Sequence, residues 1–156
     1  MRLRPAAEDD RPFLLRLYAS TREPELEASG LPRDQWGAFA EHQFAAQSRH
    51  YETYEDTSYD VVLVDGEPAG RLIVARWPEE LRIVDIALLP EYRGRGIGST
   101  LMRALIKEAD DIEVKTSIHV ERFNPAQRLY SRLGFRAVAE AGGVYLLLER
   151  PPQPSS

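Results

Sequence analysis

The stretch Ile83-Val84-Asp85-Ile86-Ala87-Leu88-Leu89-Pro90-Glu91-Tyr92-Arg93-Gly94-Arg95-Gly96-Ile97-Gly98-Ser99-Thr100 joins three kinds of local structure. An apolar strand runs to Pro90, a turn follows with three alternate glycines, and an amphipathic helix begins at once. Glycine permits positive φ and lets another group approach the backbone closely. The first N–H groups of a helix lack intrahelical partners and carry the positive end of its dipole. Such a turn is an anion cradle suited to phosphate, and Arg93 and Arg95 add charge-assisted donors.

Two common phosphate motifs fail on single residues. A P-loop needs Gly-x4-Gly-Lys-Ser/Thr, and no lysine follows any glycine in this chain. A dinucleotide fingerprint needs glycine at position 99, where Ser99 stands.

Working outward, the helix after the turn carries Leu101, Met102, Leu105, Ile106 and Ala109 on one stripe, from about Gly98 to Ala109. Upstream, Tyr59–Val64 and Ala69–Ala75 read as strands joined by the hairpin signal Asp65-Gly66, and Leu81–Leu89 as a third strand. The N-terminal third predicts a short strand at Arg2–Arg4 and a helix opening at Glu8-Asp9-Asp10, with a break across Ser20–Gly30 at Pro24 and Gly30. A second helix is expected from Asp34 as N-cap, with Trp36, Phe39, Ala40, Phe44 and Tyr51 on one face. Downstream come a strand at Thr116–Glu121, a short helix, and closing strands near Arg136–Glu140 and Val144–Glu149 around Gly142-Gly143. The order β-α-α-β-β-β-α-β-α-β-β implies an α/β fold, a mixed, mostly antiparallel sheet flanked by helices. One domain over residues 1–150 is expected, followed by a flexible Pro/Ser tail at 151–156.

The 156 residues carry a formal net charge of -5, from 20 Lys plus Arg against 25 Asp plus Glu. That balance argues against nucleic acid as a partner and mildly favours cationic or neutral substrates. No apolar run reaches the roughly 20 residues needed to cross a bilayer, so no membrane partner is expected and a cytoplasmic location is the default. There is no cysteine, which removes thiolate metal sites and cysteine nucleophiles, and the 3 histidines are scattered; no metal is expected.

Glu121-Arg122-Phe123-Asn124-Pro125-Ala126-Gln127-Arg128-Leu129-Tyr130-Ser131-Arg132-Leu133-Gly134-Phe135 has its own local logic. Asn124 suits an N-cap, Pro125 the first helical position, and Gly134 the residue past the helix end. On helical spacing alone, Tyr130 reads as a packing residue.

Arg93, Gly96 and Gly98 fit Arg/Gln-x-x-Gly-x-Gly/Ala, and with the preceding strand the segment resembles the coenzyme A signature of the GNAT superfamily of N-acetyltransferases. Asn124, Ala126, Leu129, Tyr130, Gly134 and Phe135 match that family's second motif, with an Asn-to-Ala spacing one residue shorter than usual. The resemblance implies the GNAT acyl-CoA N-acyltransferase fold with acetyl-CoA as co-substrate. Backbone amides of Arg93, Gly94, Arg95, Gly96, Ile97, Gly98 and Ser99 would hold the pyrophosphate. Main-chain groups near Ile86, Leu88 and Leu89 would pair with the pantetheine arm as an added strand does. Asn124 would lie near the cofactor, and Tyr130 beside its sulfur as general acid. The resemblance also admits a homodimer.

The implied reaction is direct attack of a primary amine, of a small molecule or peptide, on a thioester in a ternary complex. A lysine-like amine of pKa about 10.4 is neutral only about once in 2,500 molecules at pH 7, at a cost of roughly 4–5 kcal/mol, so a base or desolvating pocket is needed. Asp85, a carboxylate in an apolar strand, is the first candidate, unless it pairs with Arg71 or Arg82 or binds the acceptor's ammonium. Glu121 and a base acting through a water chain are alternatives. Trp36, Tyr51, Tyr54 and Tyr59 are candidates to line the acceptor pocket, and Glu23, Glu25 and Glu27 to attract a cation. The alternative function is a non-catalytic acyl-CoA-binding regulatory module.

Overall fold

The computed structural model describes residues 1–154. Seven strands form one sheet: β1 (Arg2–Pro5), β2 (Thr57–Val64), β3 (Glu67–Trp77), β4 (Glu80–Leu88), β5 (Lys115–Glu121), β6 (Arg136–Ala141) and β7 (Tyr145–Arg150). Their spatial order is β1-β2-β3-β4-β5-β7-β6. Every neighbouring pair is antiparallel except β4 and β5, which run parallel. A parallel pair needs a crossover, and α3 (Ile97–Asp111) supplies it. The helices α1 (Arg11–Ser29), α2 (Trp36–Tyr51) and α4 (Gln127–Arg132) complete the order expected from the sequence. None of the described helices is long and apolar enough to cross a membrane.

The β2–β3 hairpin turns at Asp65 and Gly66, both with positive φ, as the right-handed twist of paired strands favours. Strand alternation then divides β3 cleanly. Leu72 and Val74 join Leu81, Ile83, Ile118 and the apolar stripe of α3 in one core. Leu101, Met102, Leu105, Ile106 and Ala109 are all buried there. Truncating one of these leucines to alanine would cost about 2–5 kcal/mol, transfer and cavity together. Val61 and Ile73 point to the opposite face, covered by α1 and α2 through Leu17, Tyr18, Ala40 and Phe44.

Several boundaries differ from the sequence expectation. The break at Pro24 does not occur, for α1 runs through it to Ser29 and stops at Gly30, whose φ of 76° is left-handed. Leu26, 3% exposed, lies beyond the proline, and its burial offsets the lost helical hydrogen bond. Asp34 is no N-cap: it sits in the 3-10 turn Arg33–Gln35, and α2 starts at Trp36 without a side-chain cap. Phe39 lies off the buried face, 39% exposed. Asp10 does not cap α1 either; its carboxylate accepts from the Ala7 N–H at 2.8 Å and pairs with both Nη atoms of Arg4 at 2.7 and 2.8 Å, tying β1 to the helix start. α4 begins at Gln127, with Asn124 Oδ1 accepting from the Ala126 N–H at 2.7 Å just ahead of it. Residues 151–154 have no regular structure, and Ser155 and Ser156 of the expected tail lie outside the described residues.

Candidate active site

The site begins where the parallel pair comes apart. β4 and β5 are in register from Glu80↔Lys115 only to Ile83↔Ile118, although β4 continues to Leu88 and β5 to Glu121. The separation starts at a bulge. Val74 pairs with Ile83 and Ile73 with Asp85, so Val84 is an extra residue on β4. A bulge bends its strand and shifts the alternation by one. Ile83 and Ile86 therefore both meet the α3-side core, three residues apart, while Asp85 joins Ile73 and Arg71 on the opposite face. Were Val84 paired in a regular, unbulged strand, Asp85 would share the face of Ile83, inside the apolar core.

Past Ile83 the β4 edge facing β5 has no strand partner among the described residues. The Leu89 N–H donates to the Ala69 carbonyl at 2.8 Å, on the β3 side. Alternation turns the backbone groups of Leu88 and Ile86 the other way, into the gap. The Leu88 carbonyl accepts from Arg93 Nε at 3.0 Å, which closes the gap's outer end. Ile86 and Leu88 thus offer an edge to an extended ligand, whereas the amide of Leu89 is withheld from it. Gly70 makes this arrangement feasible on the β3 side: a Cβ there would overlap the Ala87 carbonyl oxygen and stand 2.7 Å from Leu88 Cδ2.

The glycine turn lies at the end of this edge. Gly94 and Gly96 have φ of 75° and 81°, and Gly96 occupies the N-cap of α3, where no side chain caps the helix. The first amide that bonds back is Thr100, to the Gly96 carbonyl at 3.0 Å. The N–H groups of Ile97, Gly98 and Ser99 precede it and are left for an anion. Arg95 is exposed, stacked 5.3 Å over the Tyr92 ring. An uncapped helix start beside an unpaired strand edge fits a ligand with a pyrophosphate and an extended amide arm.

A cavity of about 890 Å³ opens at the gap, walled by α1, α2, β4, β5 and the segment leading into α4. Asp85, Ile86, Arg93, Asn124 and Tyr130 all line it; Leu88, Leu89 and residues 94–99 do not. Of the four aromatic residues named for an acceptor pocket, Tyr51 and Tyr54 line this cavity, while Trp36 and Tyr59 do not. Trp36 instead donates from Nε1 to the Leu31 carbonyl at 2.9 Å, and the Tyr59 hydroxyl donates to the Tyr51 carbonyl at 2.9 Å. Glu23, Glu25 and Glu27 are also absent from the lining, with Glu25 paired to Arg22 and Glu27 3.7 Å from Arg33.

Tyr130 is 7% exposed, its ring tilted edge-on to Phe135 at 6.0 Å. Burial pushes its phenol above the ordinary tyrosine pKa, which keeps the proton on the oxygen. Asp85 is paired: Arg71 donates to its Oδ2 from Nε at 2.9 Å and from Nη2, and Arg71 Nη2 also reaches Gln47 Oε1 at 3.0 Å. Its Oδ1 receives no hydrogen bond among the described residues. Arg82, the other arginine expected near Asp85, is bound to Glu80 at 2.8 Å and Ser117 at 2.6 Å.

Residues that the sequence did not single out also reach the cavity: Arg22 from α1, Gln47 and His50 from α2, and His119 from β5. Burial, then the Arg82 charge, lowers the His119 pKa. Gln47, His50, Tyr51 and Tyr54 recur at helical spacing, a signal present in the sequence. Likewise His119 and Glu121 alternate with the core residues Ile118 and Val120, which sets them on the site's face.

Residues 20–135 match the model of the Acetyltransferase (GNAT) family, a span that includes the split strands, the glycine turn and Tyr130. The chain belongs to the GNAT acetyltransferase family. A Bacillus subtilis (strain 168) protein, provisionally named a [ribosomal protein bS18]-alanine N-acetyltransferase, is 38% identical over 85 residues, 50% of this chain and 53% of its own. An N-alpha-acetyltransferase of Sulfurisphaera tokodaii is 31% identical over 105 residues, 57% of this chain and 62% of that protein. The chain thus spans between about half and two thirds of these curated relatives. The GNAT fold is shared with the PaiA N-acetyltransferase of Thermoplasma acidophilum, solved with coenzyme A, at a TM-score of 0.71 and 15% identity over 96% of this chain and 98% of that one.

Proposed function

We propose that residues 1–150 form an N-acetyltransferase that moves an acetyl group from acetyl-CoA to a primary amine by direct attack in a ternary complex. The observation that carries this reading is the gap between β4 and β5, which leads from an unpaired strand edge and uncapped helix to the cavity shared by Asp85 and Tyr130. Ile86 and Leu88 hold the amide arm through the β4 edge, and the amides of Ile97, Gly98 and Ser99, with those of Gly94, Arg95 and Gly96 beside them, hold the pyrophosphate; the Arg93 N–H is spent on the Pro90 carbonyl at 3.2 Å. Acetyl-CoA supplies the acetyl group as a thioester and leaves as a thiol.

The chain's own residues handle two protons. The amine nitrogen forms a bond to the acetyl carbon as the carbon–sulfur bond breaks. Asp85, through Oδ1, takes the ammonium proton before attack or orients the ammonium while water carries it away. Tyr130 gives its phenolic proton to the departing sulfur, and the second proton, lost by the nitrogen once it is bonded to the acetyl carbon, restores the phenol. Asn124, spent in the turn that opens α4, fixes Tyr130's helix against the cavity.

The names of the curated relatives, one an alanine N-acetyltransferase and one an N-alpha-acetyltransferase, support an α-amine as acceptor. That class eases the first proton problem. An α-amine of pKa about 7.7–8.0 is neutral in roughly one molecule in ten at pH 7, several hundredfold more often than a lysine. The test is coenzyme A release with a panel of α-amines and alkylamines for wild type and Tyr130→Phe. Turnover by wild type that falls steeply in the variant supports the reading; equal rates remove Tyr130 from the mechanism, and binding of acetyl-CoA without any turnover removes the enzyme.

A further inference from the structure

The α1 wall of the cavity carries a feature that the proposed chemistry leaves unused. Arg22 projects from α1 with its side chain 20% exposed, Cζ 5.2 Å above the Tyr18 ring. Its Nη1 bonds Glu25 at 2.8 Å and stands 3.8 Å from Oε1 of Glu121 on β5. Its Nε is enclosed and has no hydrogen-bond partner among the described residues. The neighbouring hydroxyls are already spent: Ser20 donates to the Leu17 carbonyl at 2.6 Å and Thr21 to the Tyr18 carbonyl at 2.7 Å. Ser20, Thr21 and Arg22 all line the cavity, and the terminal nitrogens of Arg22, not its enclosed Nε, are the donors that this stretch of α1 offers to it.

The charges around Arg22 decide what it receives. Two carboxylates, Glu25 and Glu121, face one guanidinium, so this corner holds surplus negative charge. A second anion brought there meets repulsion, whereas a neutral carbonyl oxygen accepts a charge-assisted hydrogen bond without it. The same surplus attracts a cationic amine.

Resting on the acetyltransferase reading, we infer that Arg22 and Glu121 select acceptors whose amine lies next to a neutral carbonyl, as in a peptide N-terminus or an amino-acid amide, over free amino acids and simple alkylamines. Arg22 donates to that carbonyl while the amine faces Asp85 and Tyr130. Glu121 excludes the carboxylate of a free amino acid.

Three probes of one carbon skeleton separate these features: alaninamide, alanine and isopropylamine. Rates with saturating acetyl-CoA are followed across pH and compared at equal neutral-amine concentration, which removes differences in amine pKa. Wild type is expected to prefer alaninamide over both others by about 10- to 100-fold in kcat/KM, the range of one hydrogen bond to a charged group. Arg22→Met, which keeps the aliphatic packing on Tyr18, should bring the alaninamide-to-isopropylamine ratio toward one, mainly through KM. Glu121→Gln should narrow the alaninamide-to-alanine ratio. Equal wild-type use of alaninamide and isopropylamine overturns the inference while leaving the acetyltransferase intact. A ratio unmoved by Arg22→Met overturns Arg22's part. No turnover of any probe, nor of an alanine-initiated peptide, overturns the acetyltransferase reading and this inference with it.

Discussion

Arg71 grips one oxygen of Asp85 with two donors and leaves the other without a hydrogen bond among the described residues, on a side chain that lines the cavity. Arg71 is itself 7% exposed, held by Gln47 and by the Tyr51 ring 5.7 Å from its Cζ. A helix on one side of the sheet therefore sets the orientation of a carboxylate on β4. Arg71→Met would leave that carboxylate without its counter-charge and should lower unfolding stability by on the order of 3 kcal/mol in urea titrations. The double variant Arg71→Met with Asp85→Leu should regain much of the loss, since two apolar groups replace a pair, yet turn over amines far more slowly than wild type. Equal stability of the single and double variants would show that the pair does not act as a unit.

Tyr130 should behave as a buried acid. Tyr130→Phe is expected to slow turnover by about 10²–10⁴-fold with little change in acetyl-CoA affinity. The sign of the pH dependence follows from its raised pKa. The protonated phenol is the active form, so its contribution persists through neutral pH and is lost only as pH rises past that value, above the ordinary tyrosine value of about 10. A kcat profile that bends downward near neutrality through loss of a single acid would assign the proton donor elsewhere.

The glycine turn can be dissected by position. Gly96→Ala places a side chain at a left-handed φ of 81° with nothing within 4 Å of the added carbon, so its cost is conformational, about 1–2 kcal/mol. The turn should respond by changing shape, and acetyl-CoA affinity measured by calorimetry should fall. Gly98→Ala also meets nothing within 4 Å and has no left-handed φ, so affinity should hardly change. Equal effects of the two substitutions would remove backbone conformation as the cause.

At Gly70 the restriction is steric. An alanine there would press on Ala87 and Leu88, the last residues of β4, and should cost about 1–3 kcal/mol of stability. It should also raise the KM for acetyl-CoA, because the displaced residues form the edge that the pantetheine arm uses.

Asp10 makes a prediction about acid stability. Hydrogen bonds from Arg4 and from the Ala7 N–H bring its pKa down from 3.8 to about 2. A lowered folded-state pKa adds stability that is complete above the unfolded value near 3.9 and is lost as pH falls through about 2. Asp10→Asn should be less stable than wild type at pH 6 in chemical denaturation, with the difference shrinking across that window.

What the sequence made legible was local. The hairpin at Asp65-Gly66, the α3 stripe and the turn at Gly94–Gly98 each depend on residues within one or two turns of chain, and each lies where periodicity and glycine placement put it. Pro24 misled because its local penalty is outweighed by the burial of Leu26, a tertiary effect. The bulge at Val84 leaves no mark in β4 itself and appears only through its register with β3. For the same reason the sequence offers Asp85 both Arg71 and Arg82, and only the fold brings Arg71 to it while Ser117 and Glu80 hold Arg82. The convergence of Arg22 and Glu121, about a hundred residues apart in the chain, has no local signature.

The bulge at Val84 also bears on how this chain can change over time. Substitutions along β4 are judged one side chain at a time, but a change of length is judged by the whole strand. Val84 can be lost without moving a face, since Ile83, Asp85 and Ile86 would still oppose Val74, Ile73 and Leu72. Straightening the strand with Val84 kept would instead reverse every position after it, sending the carboxylate into the oily layer above α3 and lifting Ile86 and Leu88 toward water. Core and chemistry thus share one reading frame on this strand, and lineages that keep the activity should either keep the bulge or shed a single residue with it.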